Sequence, residues 1–292
     1  MKKATLHARI ARSVGLAVGL AAAMTVFHSI GFAEDAPTDL RSDGALEATP
    51  ATSSDQASSD QATAEATQAF VEGRYEDAVE IAEASAAPAD LALAARAINT
   101  DAYFETDREK ARDNAKRAYD FAVAALEKDP SQEEAHLQAA ISLAVRGDNM
   151  SPAKAFFLRL PTRSRRFIDD ALALNPENPW ALSTSAAWRL EVARRGGGRI
   201  FGADPDEGAA ECAAAREQAP ENVAIAYECA LRLLAHGEEN WRDQALTALD
   251  AALNNPPSTA FEKQLQKRAG TLRSAVDAGG DALVAFIDHT TQ

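Results

Sequence analysis

Cysteine is nearly missing from this chain of 292 residues, which has two, and aromatic side chains make up only 6% of it. So few cysteines exclude a multi-disulfide scaffold and a cysteine-rich metal framework. Runs that alternate Val, Ile or Thr with polar residues are absent, which excludes a sheet-based fold. Histidine is scarce as well: His7 and His28 lie near the N-terminus, while His136, His236 and His289 are far apart and belong to no H-E-x-x-H or Cys/His spacing. No metal site and no cofactor is expected. No G-x-S-x-G element or isolated carboxylate pair stands out either, so an enzyme would need a site that only tertiary structure assembles, and none is expected. Positive charge is short too, 30 Lys+Arg against 44 Asp+Glu, which disfavours nucleic acid or an anionic membrane surface as the main partner.

What is present begins with an export pattern. Lys2, Lys3, Arg9 and Arg12 precede an apolar run from Val14 to Phe27, and Gly31 and Ala33 follow. This reads as a secretory signal over residues 1–33, cleaved after Ala33, and it makes the protein periplasmic or secreted. An uncleaved membrane anchor is the rival reading, since about 20 apolar residues span a bilayer. Cleavage would remove four cations and no acid, moving the formal charge from −14 to −18. Residues 34–63, with the duplicated SSDQA-SSDQA and few large apolar side chains, read as a disordered acidic Ala/Ser/Thr linker.

From Ala64 on, alanine-rich segments carry apolar residues three and four apart and are broken by short Pro, Asn, Asp and Gly clusters, so the domain is all-α. The breaks recur: ALEKDP ends at Pro130, ALALNP at Pro176, AREQAP at Pro220 and AALNNP at Pro256, at intervals of 46, 44 and 36 residues. Helix starts follow them. Ser131 with Glu134 fits a capping box, Asn178-Pro179 supplies a cap and a first-turn proline, and Asp204-Pro205-Asp206-Glu207 supplies both devices. The expected architecture is an α-solenoid of about five helix-turn-helix pairs over residues 64–257, closed by capping helices over 258–292, because one pair alone cannot bury its apolar face.

Gly73, Tyr75 and Ala78 in FVEGRYEDAVEIAEASAA, and Ala118, Ala122, Ala125 and Pro130 in AYDFAVAALEKDP, resemble the tetratricopeptide repeat, where small residues permit close helix approach. Four longer stretches between about Asn114 and Leu272, NAKRAYDFAVAALEKDPSQEEAHLQAAISL, FIDDALALNPENPWALSTSAAWRLEVAR, IFGADPDEGAAECAAAREQAPEN and NPPSTAFEKQLQKRAGTL, resemble the tetratricopeptide family called regulators of microtubule dynamics. The resemblance implies a helical interaction module without catalytic residues. An exported chain meets no microtubules, so the role in the family's name is not carried over.

RRGGGRIFGADPDEG, residues 194–208, sets three arginines around three glycines, yet it has no strand before it and no Lys-Ser/Thr after its last glycine, so it is not a phosphate loop. It reads as the connector inside the fourth pair. The third pair carries an insertion of about twenty residues at the corresponding place, with a short helix begun by Ser151-Pro152. Equivalent loops share a rim, so Lys154, Arg159, Arg163, Arg165 and Arg166 are expected to approach Arg194, Arg195 and Arg199. The alternative is a solvated basic loop neutralised by Asp204, Asp206 and Glu207. Phe156, Phe157 and Leu158 must bury in the core, in a partner, or around the tail of an amphiphile. Trp180, Trp188 and Trp241 read as core anchors.

Cys212 and Cys229 lie symmetrically about the turn at Pro220-Glu221, so an antiparallel helix pair brings them level. A disulfide is expected in an exported chain, with two separately buried thiols as the rival. Together these features describe a non-catalytic periplasmic scaffold that binds another envelope protein or peptide through a concave groove with a basic rim. The second reading is a carrier for a small anionic amphiphile, with its head group at Arg163, Arg166, Arg194 and Arg199 and its tail near Phe156 and Phe157.

Overall fold

The structure is a computed structural model that describes residues 53–290, with side chains from 61 on. The expected signal, its cleavage site and most of the expected linker lie outside the described residues. Helix is already present at Ser53, inside the stretch read as a linker: α1 spans Ser53–Glu72. The chain divides at Ala57, and Ser58–Gln292 forms a compact unit.

Among the described residues there is helix and no strand. After α1 come α2 (Tyr75–Ser85), α3 (Pro88–Ala102), α4 (Arg108–Lys128) and α5 (Glu133–Asp148), then the short α6 (Pro152–Phe157) and α7 (Leu160–Leu174). They are followed by α8 (Pro179–Arg194), the four-residue α9 (Gly198–Phe201), α10 (Pro205–Gln218), α11 (Val223–His236), α12 (Arg242–Asn254), α13 (Ala260–Ala278) and α14 (Asp281–Thr290). Five pairs result: α1 with α2, α3 with α4, α5 with α7, α8 with α10, and α11 with α12. The last two helices cover the end of the array, α13 packing on α11 and α12 and α14 on α13.

Local chemistry explains most of the boundaries. Asn178 accepts hydrogen bonds from the Trp180 and Ala181 amides at 2.7 and 3.1 Å, and Asp204 from the Asp206 amide at 2.9 Å, each with proline in the first turn. The capping box at Ser131 does not form. Gln132 occupies the N-cap of α5 without a side-chain bond, because Asp129 gathers the Ser131 amide (2.9 Å) and hydroxyl (2.6 Å) and the Gln132 side chain (3.0 Å). Those bonds also hold the Asp129 carboxyl below its ordinary pKa. Glu134, freed from that role, accepts from Gln138 at 2.9 Å.

Alanine sets the packing distance between helices. Ala111, Ala115, Ala118, Ala122 and Ala125 form a buried stripe on α4, at the three- and four-residue intervals that keep one helix face together. Inner helices follow one another, with α3 against α5, α5 against α8, α8 against α11 and α11 against α13, while each second helix packs on the first helix of its own pair and on the next. A continuous inner layer with a splayed outer one is what curves such an array.

The curvature is tight enough to fill the inside, where the sequence reading places an open groove. Tyr103, just past α3, donates its hydroxyl to Glu228 of α11. Its ring meets Phe261 of α13 edge-on at 5.6 Å, Phe104 meets Phe261 at the same distance, and the Arg268 guanidinium lies 4.6 Å from the Phe104 ring centre. Gly73, in the α1–α2 turn, also abuts the start of α13: a Cβ placed on it would stand 2.7 Å from the Ala260 Cβ. No helix among the described residues is long and apolar enough to cross a membrane.

Candidate functional site

The glycine run resolves into two roles. Gly196 (φ +82°) takes the left-handed conformation that stops α8, its amide bonding to Ala193 O at 2.9 Å and the Gly197 amide to Val192 O at 2.8 Å. Gly197 and Gly198 are tightly enclosed: a Cβ would lie 3.0 Å from Phe201 and Val192 in one case and from Ala203 O in the other, so a neighbour would have to give by a few tenths of an ångström. The run is a compact connector that folds α9 back on the end of α8 and presents Arg199 and Ile200 outward.

The insertion is shorter than expected. Ser151 caps α6 and Arg159 (φ +54°) turns the chain into α7, so Arg163, Arg165 and Arg166 stand on a helix rather than in a loop. The two rim segments do meet, with the rings of Phe156 and Phe201 6.1 Å apart. Between them lies a pocket of about 350 Å³ lined by Thr162, Arg165, Arg166 and Asp169 of α7, Trp188 of α8, and Ile200 and Phe201 of α9.

The expected eight-cation island is divided. Arg194 and Arg195 turn inward onto Glu191, each with a closest approach of 2.5 Å, and Arg195 also reaches Asp148 at 2.8 Å. Arg232 of α11 completes this group, 3.4 Å from both Glu191 and Glu228. Burial by itself would raise the Glu191 pKa, but the hydrogen bond from Arg194 and the charges of Arg232 and Arg195 outweigh it and hold the carboxyl at about 2. Arg163 bonds to the Tyr119 hydroxyl at 2.9 Å and covers its ring. Arg165 pairs with Asp169 at 2.5 Å, bonds Ser185 at 2.8 Å and lies 5.4 Å from the Trp188 ring centre. The head-group quartet of Arg163, Arg166, Arg194 and Arg199 therefore does not converge. Of the acids expected to neutralise the rim, Glu207 pairs instead with Arg189 at 2.6 Å, and Asp204 caps α10. Lys154, Arg159, Arg166 and Arg199 have exposed side chains without an ion pair or side-chain hydrogen bond among the described residues.

Of the aromatic residues, Trp188 and Trp241 are buried as expected, the Trp188 indole donating to Pro161 O at 3.0 Å. Of the three places expected to bury Phe156 and Phe157, the core is excluded, since they are 53% and 81% exposed, beside Ile200 at 69%. Thr162, Asp169, Trp188, Ile200 and Phe201 are pocket residues the sequence does not assign to a site. The Ile200-Phe201 pair, next to a glycine run and apolar without a periodic partner, is the signal that could have found them.

With this geometry in hand, the family model described as Regulator of microtubule dynamics protein 1-3 matches residues 53–277. The chain belongs to this family. No individual curated protein matches it. Regulator-family membership covers all five helix pairs and nearly all of α13, including both rim segments. Among the described residues, no group of three or more His, Cys, Asp or Glu side chains is placed to hold a metal ion.

Cys212 and Cys229 do lie level on α10 and α11, but the structure holds them as free thiols, both buried, rather than as the expected disulfide. The Cys229 thiol lies 3.7 Å from Cys212 O. Donation of the Cys212 thiol proton toward the Cys229 sulfur, together with burial, pushes the Cys212 pKa well up, so attack by a thiolate is disfavoured at neutral pH. Diamide, which takes two hydrogens from the pair, is expected to join them slowly in the native protein, lowering the mass by about 2 Da and adding up to ~3 kcal/mol of stability. Intact-mass analysis under non-reducing conditions, with Cys212→Ser as the control, tests this.

Proposed function

We propose that this protein is a non-catalytic adaptor of the periplasm that binds an acidic segment of another envelope protein at the rim pocket between α7, α8 and α9. Arg166 carries the proposal: it is an exposed guanidinium without a carboxylate partner at the mouth of a 350 Å³ pocket whose wall includes buried Trp188. A guanidinium fork recognises a carboxylate through two parallel bonds, and the neighbouring indole and Phe201 supply apolar surface for the adjoining side chain. The filled inner face moves the interaction from a groove to the rim. The carrier reading is weaker, because a pocket near the low end of the usual ligand range holds a small anion but does not enclose a long tail.

Titration with short peptides ending in Asp or Glu, followed by calorimetry, tests the assignment. Arg166→Glu is expected to weaken the best binder at least tenfold, as loss of one charge-assisted bond of about 1.5–3 kcal/mol predicts, and a peptide carrying Lys in place of its acid should recover part of the loss. Equal binding by wild type and Arg166→Glu would refute the site.

A further inference from the structure

Beside the pocket, and outside the reading just given, the rim carries a projection. Phe156 and Phe157 end α6 and Leu158 follows, and Ile200 on α9 stands next to Phe201, the ring against which Phe156 packs. Their exposures, 41% for Leu158 and higher for the other three, make these four, with Leu174, the large apolar side chains left open to solvent among the described residues. Lys154 and Arg159 lie on either side of Phe156, Phe157 and Leu158 in sequence, and Arg199 precedes Ile200; all three cations are exposed and without an ion-pair partner among the described residues. No acid occurs between Lys154 and Arg166. The turn behind the projection is held by Arg159 itself in the left-handed region, at φ +54°, a conformation that a non-glycine residue adopts at a cost.

We propose that this projection seats on the surface of an anionic bilayer, with Phe156, Phe157 and Ile200 entering the interface and Lys154, Arg159 and Arg199 at the level of the lipid phosphates. The shape favours a bilayer over a peptide. A peptide site needs walls, as the neighbouring pocket has, whereas Phe157 stands out at 81% exposure. Apolar side chains below and basic side chains beside them match the layering of a lipid interface, where cations meet anionic head groups while hydrocarbon is buried. The net charge of −14 opposes approach from a distance. At contact, however, charges farther than ~8 Å are screened at physiological ionic strength, so the local cations decide the outcome. Arg166 is not needed for this contact, so pocket and projection fail or succeed separately.

The test uses the full chain carrying Phe157→Trp, with wild-type emission subtracted to remove the three native tryptophans. Vesicles contain equal parts phosphatidylglycerol and phosphatidylcholine with brominated acyl chains, or brominated phosphatidylcholine alone. On the anionic vesicles the added indole is expected to shift to the blue and to be quenched by bromine, with partitioning reduced at least tenfold by Lys154→Glu/Arg159→Glu/Arg199→Glu. Quenching at position 157 reports this contact and not one made by the N-terminal apolar segment. An indole that stays unquenched on anionic vesicles would overturn the proposal, as would equal quenching on phosphatidylcholine alone. Shielding of the added indole by an acidic peptide, without quenching by lipid, would give the projection to a protein partner. Circular dichroism of both variants keeps misfolding from passing as a negative result.

Discussion

Replacing Glu191 with alanine is expected to cost about 3 kcal/mol of stability, read as a lower urea midpoint at pH 7. Glu191 is the anion on which Arg194, Arg195 and Arg232 converge, and its side chain is only 13% exposed. Removing one member of a buried charge group leaves the others desolvated without compensation, which is why such losses reach ~3–5 kcal/mol. Asp148 and Glu228 still face part of the group, so the lower end applies. The pH dependence gives the same size independently. The folded carboxyl is held at about 2 against 4.5 for a solvated glutamate, a difference worth about 3 kcal/mol. Because the folded value is the lower one, this stabilisation is fully present above pH 4.5 and is lost as pH falls from there through about 2. The gap between wild type and Glu191→Ala should therefore close over that window, and a gap that stays constant to pH 2 would assign the loss to packing.

The second large effect is expected at Gly73. Gly73→Ala should lower stability by about 3 kcal/mol, from two sources. The residue sits at φ +84°, where an L side chain costs ~1–2 kcal/mol. Its new Cβ would also stand 2.7 Å from the Ala260 Cβ, so the α1–α2 turn and the start of α13 would have to part. The two sources separate experimentally. Gly73→Ala combined with Ala260→Gly removes the collision but keeps the backbone strain, and it should recover about half of the loss. No recovery in the double variant would mean that strain alone accounts for the effect.

Much of the architecture was readable because its signals are local. Prolines 130, 176, 220 and 256 mark pair boundaries, and Asn178 and Asp204 cap the helices expected of them. The Gly73-Tyr75-Ala78 spacing was read as close approach inside one helix pair, whereas Gly73 abuts Ala260 of α13, 187 residues away, a contact that could not be named from sequence. The site was less legible, for a definite reason. A list of cations shows where positive charge is available but not which cations are already paired. Glu191 is three and four residues before Arg194 and Arg195, a helical ion-pair spacing that was open to view. By contrast, Asp148 and Arg232 join the same group only through stacking of α5, α8 and α11. Ser131 failed as a cap because a stronger acceptor, the Asp129 carboxylate, lay two residues away. Cys212 and Cys229 came level as symmetry about their turn requires, but spacing fixes proximity and not oxidation state.

The contact of Tyr103 and Phe104 with Glu228, Phe261 and Arg268 has a mechanical meaning. An open array of helix pairs is a spring: it can lengthen or twist with little resistance, because each unit touches only its neighbours. Here the second pair is fastened to the fifth and to the helix beyond it, and the spring is latched in its coiled form. Pulling on its ends must first break an aromatic cluster and a partly buried hydrogen bond, so the molecule should resist extension up to a threshold and then yield abruptly.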